Sequence, residues 1–318
     1  MIPTSSKGPE GVAQGPLVHG VVVTWNGAHL LADCLPALRA QDAAARLRIV
    51  VADNASTDAT AGLLAREFAE VEHLRLPENQ GYARANNEAM RRALAAGADF
   101  VALINNDVEV APDWLRHLLQ AAQAHPEAGL FTGTLLFRDE ALVNSTGLAI
   151  DGFGRARDRD FRLPVARLAR PDGPVTGVSG GAALLRTSLL RQIGLFDPAY
   201  FAYYEDVDLS LRAARAGSVA WYARAAVARH RFGATVGPGS PRQRYLLGVG
   251  HLRTIARHQP PLRAAALVAL TMVYRAMVKA PLELLRVRPS LAWAELRAAA
   301  AGGLAALRAL SGRSPPQP

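Results

Sequence analysis

The chain has a single cysteine, Cys34, so it can form neither an intramolecular disulfide nor a cysteine-based zinc cluster. That usage fits a reducing cytoplasm. The N-terminus lacks a basic start followed by an apolar stretch. Met1 to Pro16 is polar, rich in Gly and Pro, and reads as a loose tail rather than a secretory signal. No Gly-x-Gly-x-x-Gly follows the first apolar run, which makes a dinucleotide-binding fold a poor match. Long uncharged apolar runs are missing too. Within Leu262 to Val287 the longest is Ala264 to Tyr274, eleven residues, against the ~20 that a spanning helix needs. Acidic residues are in deficit, 27 against 36 Lys and Arg, for a net charge of +9. Such an excess suits nucleic acid, anionic lipid or phosphorylated ligands. Nucleic acid is the weakest of these, because no aromatic-basic platform or recognition motif accompanies the charge.

What is present is ordinary globular composition over 318 residues, half apolar and a fifth charged, enough for a sizeable core. Val18 to Thr24 reads as a buried strand and Ala28 to Gln41 as a helix with Leu30, Leu31, Leu35 and Leu38 on one side. The rhythm repeats: strand Arg48–Ala52, helix Thr60–Glu70, strand Val71–Leu76, helix Tyr82–Ala96, strand Asp99–Ile104. This alternation predicts an α/β fold, a mostly parallel central sheet with helices on both faces. Ligands bind such sheets beyond the carboxyl ends of the strands. Polar clusters sit at those ends: Asn26, Asp53 to Asp58, Asn79 to Gly81, and Asn105 to Asp107.

After Pro112 the rhythm changes. A helix is expected over Trp114–Ala124, with strands over Leu130–Phe137, Val143–Ile150 and Val175–Leu185. Arg155 to Asp172, with six Arg, reads as a mobile surface loop. A helix over Thr187–Ile193 comes next, then Glu205-Asp206-Val207-Asp208 opening another helix, then short strands Val219–Ala223 and Ala226–His230. The end, from about Tyr245, is helical and basic, and Pro260-Pro261 marks a break. Leu262 to Val287 and Leu291 to Leu310 read as amphipathic helices that lie on a membrane surface, on the core or on a second subunit. The organisation expected is a tail (1–16), one main α/β domain (17–258), C-terminal amphipathic helices (259–310) and a second tail (311–318).

Each polar candidate has two readings on its own. Asp107 is either an oxygen ligand for a divalent cation or a turn residue. Asp53 and Asp58 are either contacts for a base or ribose or good turn and cap residues. Glu205, Asp206 and Asp208 are crowded carboxylates, which raises at least one pKa and suits a general base; the same residues make a favourable acidic first turn of a helix. Gly180 and Gly181 allow close approach to a ligand or simply a tight turn. His230 closes a strand, where a lone His is more often structural.

Together these segments resemble the family 2 glycosyltransferases, inverting enzymes of the GT-A fold, and within them the bacterial rhamnosyltransferase-type members. The matching segments are Val21–Gly27, Val51–Asp58, Pro77–Ala83 with Asn86-Asn87, Leu103–Asp107, Ser179–Ala182, Phe196-Asp197 and Tyr204–Leu209. The resemblance covers about Val18 to His258. It implies that Asp53 contacts the base or ribose of a nucleotide-diphospho-sugar, with Thr24 and Asn26 lining the same site and Asn79 and Gly81 beside it. Asn105-Asn106-Asp107 occupies the family's Asp-x-Asp position, with Asn105 in place of the first Asp, which leaves Asp107 as the main ligand for Mg²⁺ or Mn²⁺. Asp206, beside Glu205, would be the catalytic base. His230 falls where a metal or diphosphate contact is expected, and Gly180-Gly181 where the backbone meets the donor. Relatives often carry Arg-Asn where this chain has Gly250-His251. The implied activity is inverting transfer of a sugar, rhamnose included, to a glycan or polyprenyl-linked acceptor, at the cytoplasmic face of the inner membrane. A non-catalytic nucleotide-sugar binder in a glycan-assembly complex is the alternative.

Overall fold

The first strand shows why the chain folds as it does. Along β1 (Leu17–Thr24), Val21 and Val23 pack on one face of a sheet and Val18 and Val22 on the other. The run reads as continuously apolar because both faces are covered. The computed structural model describes residues 15–231, 237 and 239–311. The expected tails lie outside these residues, apart from Gly15, Pro16 and Ser311.

The first half is a parallel unit. β1, α1 (Ala28–Arg39), β2 (Arg46–Asp53), α2 (Thr60–Glu67), β3 (Glu72–Arg75), α3 (Tyr82–Ala95) and β4 (Phe100–Asn105) follow in turn. β2 and β4 flank β1 in parallel register, with Thr24 beside Asp53 and Val23 beside Asn105. Their carboxyl ends therefore share one edge. β5 (Val108–Val110), α4 (Trp114–Ala124) and β6 (Ala128–Phe137) come next, then β7 (Val143–Ser145), β8 (Leu148–Ile150), β9 (Ala156–Asp158), β10 (Gly173–Val175) and β11 (Ala182–Arg186). The remainder is α5 (Thr187–Ile193), α6 (Glu205–Arg215), β12 (Val219–His230) and the helices α7 (Pro241–His258), α8 (Pro261–Tyr274), α9 (Ala280–Leu285) and α10 (Pro289–Leu310).

The main sheet runs β10-β12-β6-β11-β4-β1-β2-β3, with β5 on β12 and β7 on β6. It is parallel from β3 to β4. β11 then enters antiparallel between β4 and β6. Helices α3, α5 and α6 cover one face and α1, α2 and α4 the other.

Four expectations need correction. Val143–Ile150 is not one strand: it breaks at Gly147, whose φ of 111° lies in the region glycine favours. Val175–Leu185 splits into β10 and β11 around the 176–181 loop. Val219–His230 is one strand, with a bulge between Tyr222 and Val227. Finally, Arg155–Asp172 is tied down rather than left as a free loop. β9 pairs with β8, Arg159 Nη2 donates to the Thr146 carbonyl at 2.7 Å, and Arg170 grips Asp160 with two bonds.

The C-terminal helices share a small core with α7: Leu252, Ile255 and Ala256 meet Ala264 and Val268 of α8 and Ala306 of α10. α8 passes through a π-type stretch, Arg275–Lys279, into α9. Among the described residues, this 25-residue helix, Pro261–Leu285, is long and apolar enough to cross a membrane by length and composition. The short uncharged runs of the sequence hid this. Arg263 is exposed, but Arg275, Lys279 and Glu283 turn inward, where Arg275 and Lys279 both pair with the fully buried Glu295 of α10.

Candidate active site

The polar ends of β1 and β4, the 179–181 loop, the end of β12 and the first turns of α6 and α7 enclose one cleft of about 490 Å³. Register explains the convergence. Asn105 N donates to the Gly181 carbonyl at 2.9 Å because β11 starts where β4 ends. His230 pairs with Val108 across β12 and β5, which sets its ring against Asp107.

His230 Nε2 lies 3.1 Å from Asp107 Oδ1, and Nδ1 lies 2.7 Å from Asn144 Oδ1. Both ring nitrogens thus face acceptors. The Asn144 contact at Nδ1 orients the ring, so that Nε2 is presented to the Asp107 carboxylate. Asn105 Oδ1 is buried nearby in sequence without a hydrogen-bond partner. A carboxylate, an imidazole steadied by its second nitrogen, and an open amide oxygen form a donor set that suits a divalent cation completed by phosphate oxygens. Among the described residues no group of three or more His, Cys, Asp or Glu forms a cage, so ligand oxygens would have to complete the shell.

Across the cleft, α6 begins at Glu205. Asp206 Oδ2 accepts from Gly180 N at 2.9 Å and Oδ1 from Val207 N at 2.8 Å. The Gly180 carbonyl in turn accepts from Tyr82 Oη at 2.8 Å. Burial raises the Asp206 carboxyl above its ordinary value in spite of these bonds. Glu205 is raised further, by burial and by the Asp206 charge, and its Oε2 has no partner. A half-buried carboxylate of raised basicity, fixed by two backbone N–H groups, is equipped to take a proton.

The remaining expected residues divide into two groups. Thr24, Asn79, Gly81, Asn106, Gly180 and Gly181 all reach the cleft wall. Thr24 Oγ1 accepts from Asn106 Nδ2 at 3.0 Å. Gly81 has φ 84°, and a Cβ there would lie 2.4 Å from the Phe201 carbonyl oxygen, so the turn needs glycine. Asn26 and Asp53 do not line the cleft. Asp53 is fully buried and already engaged, by Arg75 at 3.2 Å, His73 at 3.1 Å and Ser56 N at 2.8 Å. Asn26 Oδ1 accepts from Thr57 N at 2.8 Å. These two shape the turn behind the cleft.

Sequence reasoning missed two wall residues of chemical weight. Trp25, 39% exposed, presents an aromatic face at the strand end. Asp158, from β9, stands on the same wall, and burial, with a further push from the Asp206 charge, takes its carboxyl up to about 6. The alternation Arg157-Asp158-Arg159-Asp160 was the available signal, a period of two inside what looked like a loop. Gly250 is explained by close packing: a Cβ there would lie 3.0 Å from the Tyr203 carbonyl oxygen. His251 stacks on Tyr204, and burial lowers its pKa to about 4.

Comparison with known proteins agrees with this arrangement. The sequence profile of glycosyl transferase family 2 matches residues 21–194, more than half of the chain. An N-acetylglucosaminyl-diphospho-decaprenol L-rhamnosyltransferase of Mycobacterium tuberculosis is 30% identical over 202 residues, 57% of this chain and 66% of that one. The match therefore spans a little under two thirds of that relative's length. The fold is also similar to a Pyrobaculum calidifontis mannosyltransferase solved with GDP-Man and Mn²⁺ (TM-score 0.55, 20% identity, 97% of this chain and 92% of that one). It is likewise similar to S. aureus TarS solved with UDP-GlcNAc (TM-score 0.55, 15% identity, 94% and 93%). With that profile matched over more than half of its length and a parallel half-sheet whose polar strand ends line the cleft, the chain belongs to glycosyl transferase family 2 and has the GT-A fold.

Proposed function

We propose that this protein moves a sugar from a nucleotide-diphospho-sugar to a hydroxyl of a glycan or polyprenyl-linked acceptor, with inversion at the anomeric carbon. The observation that carries the reading is the placing of Asp206, a basic and backbone-fixed carboxylate, in the same cleft as the Asp107–His230 pair. The finer choice of donor is a rhamnosyl nucleotide, supported by the activity named for the M. tuberculosis relative.

In this reading Trp25 offers its ring to the nucleotide base, and Thr24 with Asn106 borders the ribose. Asp53 acts from behind, holding the Ser56 turn through its bond to Ser56 N. Asp107, His230 and Asn105 would hold Mg²⁺ or Mn²⁺; when bound, the ion neutralises the diphosphate leaving group. The backbone at Gly180 and Gly181 leaves room for the donor sugar. Asp206 accepts the proton of the acceptor hydroxyl, whose oxygen attacks the anomeric carbon opposite the diphosphate. The bonds from Gly180 N and Val207 N keep the Asp206 carboxylate aimed throughout. A single displacement needs one such base, so no second opposed carboxylate is required.

Residues 17–258 form the catalytic unit of this proposal, and the helices from 259 to 310 rest on the cytoplasmic leaflet of the inner membrane. Thermal unfolding against a panel of nucleotide-diphospho-sugars, with and without Mn²⁺, tests the reading. A donor at 100 times its dissociation constant adds ~2.7 kcal/mol. We expect one donor to stabilise the protein only with metal, and Asp107→Ala to abolish the effect. Asp206→Asn should keep the donor shift while transfer falls ~10²–10⁴-fold. A folded protein that no donor stabilises would overturn the proposal.

A further inference from the structure

Beside the reaction cleft lies a second one of about 570 Å³, and its chemistry is the opposite. The reaction cleft is acid-rich, with Asp107, Asp158, Glu205 and Asp206 on its wall. The second has Arg242, Arg253 and Arg297 and no carboxylate on its wall. The two share a seam that includes Phe201, Tyr203 and Arg242.

The three guanidinium groups are held alike. Arg242 lies over Phe201 at 5.4 Å, Arg253 over Tyr200 at 5.4 Å and Arg297 over Tyr245 at 5.1 Å, and each of these rings also lines the cleft. A ring under the guanidinium plane fixes the group and leaves its N–H edge for an oxyanion. Among the described residues neither Arg242 nor Arg297 has a carboxylate within 4 Å. Arg253 is buried, 8% exposed, and its Nη2 bonds Asp197 at 2.9 Å, yet its Nε has no acceptor. Asp197 is itself shared with Arg257 at 2.8 Å, so it does not cancel the charge of the cleft. A buried, unpaired guanidinium N–H on a cationic wall points to a ligand oxygen.

We propose that this cleft is an acceptor subsite, in which Arg242, Arg253 and Arg297 bind the diphosphate that links the acceptor sugar to its lipid. The inference rests on the transferase reading and deepens it. The reaction cleft is taken by the donor diphosphate in this reading, so the acceptor diphosphate needs a cationic site of its own, and the shared seam at Phe201, Tyr203 and Arg242 lets the attached sugar reach Asp206. The lipid has an exit: Trp293, one helical turn before Arg297 on α10, is 62% exposed, and Leu304, two turns beyond, is 50% exposed.

The test is calorimetric binding in EDTA, which silences the metal site, with geranyl diphosphate and inorganic pyrophosphate as probes. Arg253→Ala would also break the Asp197 pairs, so Arg242→Gln and Arg297→Gln carry the test, with Arg91→Gln as a charge-matched control on α3. Geranyl diphosphate should bind the wild type more tightly than pyrophosphate, each cleft variant should weaken it about tenfold, and the control should not. Equal affinity for pyrophosphate would mean a free-anion site and overturn the acceptor assignment; affinity unchanged in both cleft variants would overturn the site itself. Donor-induced stabilisation with Mn²⁺, measured on the same variants, separates the failures. If it persists while the cleft variants do nothing, the subsite falls and the transferase stands. If the wild type shows none, the transferase reading falls and the subsite with it.

Discussion

Glu205 and Asp206 are adjacent, yet their surroundings give them different tasks. Asp206 spends both oxygens on backbone N–H groups. Glu205 keeps one oxygen buried and unpartnered, and burial with the neighbouring charge raises its pKa well above the ordinary value. A raised folded pKa means that the folded state holds the proton more tightly than the unfolded one. Its stabilising contribution is full below the unfolded pKa and is lost as pH rises through the folded value. Glu205→Gln mimics the protonated side chain at every pH. The stability of wild type minus that of the variant, from urea unfolding, should therefore fall by ~1.4 kcal/mol per pH unit above about 4.3, until the folded carboxyl ionises. A flat difference between pH 5 and pH 8 would contradict this account. His230 and Asp107 show how far such a residue-scale reading can go. Asp107 was legible as the residue closing a polar strand end. His230 was placed near it only by the family resemblance, since it is β5–β12 pairing that brings together these groups 123 positions apart.

At the scale of elements, the start of α6 is held from both sides. Tyr203 and Tyr204 enter it with φ of 69° and 73°, left-handed values that cost non-glycine residues about 1–3 kcal/mol each. The helix is anchored by Asp208, fully buried, which bonds His258 at 2.8 Å and Arg212 at 2.8 Å and meets Arg257 at 3.0 Å. Burial alone would raise the Asp208 carboxyl; the His258 bond and the two arginines hold it below its ordinary value. Asp208→Asn should cost about 3 kcal/mol at pH 7, because it leaves buried cations short of a partner. The sign here is opposite to that of Glu205. A depressed pKa gives stability above the unfolded value, so the gap between wild type and variant should narrow as pH drops below ~3.9. Equal stability at pH 7 would show that the knot is ornamental. The elements themselves were unevenly legible. β1, β2 and β4 could be read from the sequence because a strand buried on both faces is a plain apolar run. β5, β8 and β9 have three residues each, and the two-residue alternation from Arg157 to Asp160 was masked by its charge, so Asp158 was taken for loop. Asp53 sat correctly at a strand end, but its engagement with His73 and Arg75 depends on β2–β3 pairing.

At the scale of the whole molecule, the C-terminal helices bury three charged side chains and expose apolar ones. Arg275, Glu283 and Glu295 are buried, while Val273, Met277 and Leu284 are 57%, 69% and 57% exposed. Spaced four and seven apart on one helix, these three share a face. Water would oppose that arrangement and a bilayer would favour it, at roughly 1.5–3 kcal/mol for each large apolar side chain fully buried. Exposed Arg286 flanks the face and suits anionic headgroups. Combined Val273→Gln, Met277→Gln and Leu284→Gln should weaken co-sedimentation with phosphatidylglycerol vesicles at least about tenfold, since each group forgoes about that much lipid contact. Unchanged sedimentation in a variant of unchanged helicity would remove the membrane from the account. α7 gives this arrangement a metric. Its first turns, at Arg242, Gln243, Leu246 and Leu247, form a wall of the reaction cleft, and its later turns, at Leu252, Ile255 and Ala256, lie in the core shared with α8 and α10. A helix of 18 residues, about 27 Å long at ~1.5 Å per residue, therefore joins the cleft to the C-terminal helices. With the bundle seated on a bilayer, that helix is a gauge. In the proposed reading it would set the height of Asp206 above the lipid, and so would select the acceptor hydroxyl by its distance from the bilayer. A glycan one sugar too short would stop beneath the catalyst, and one too long would pass it.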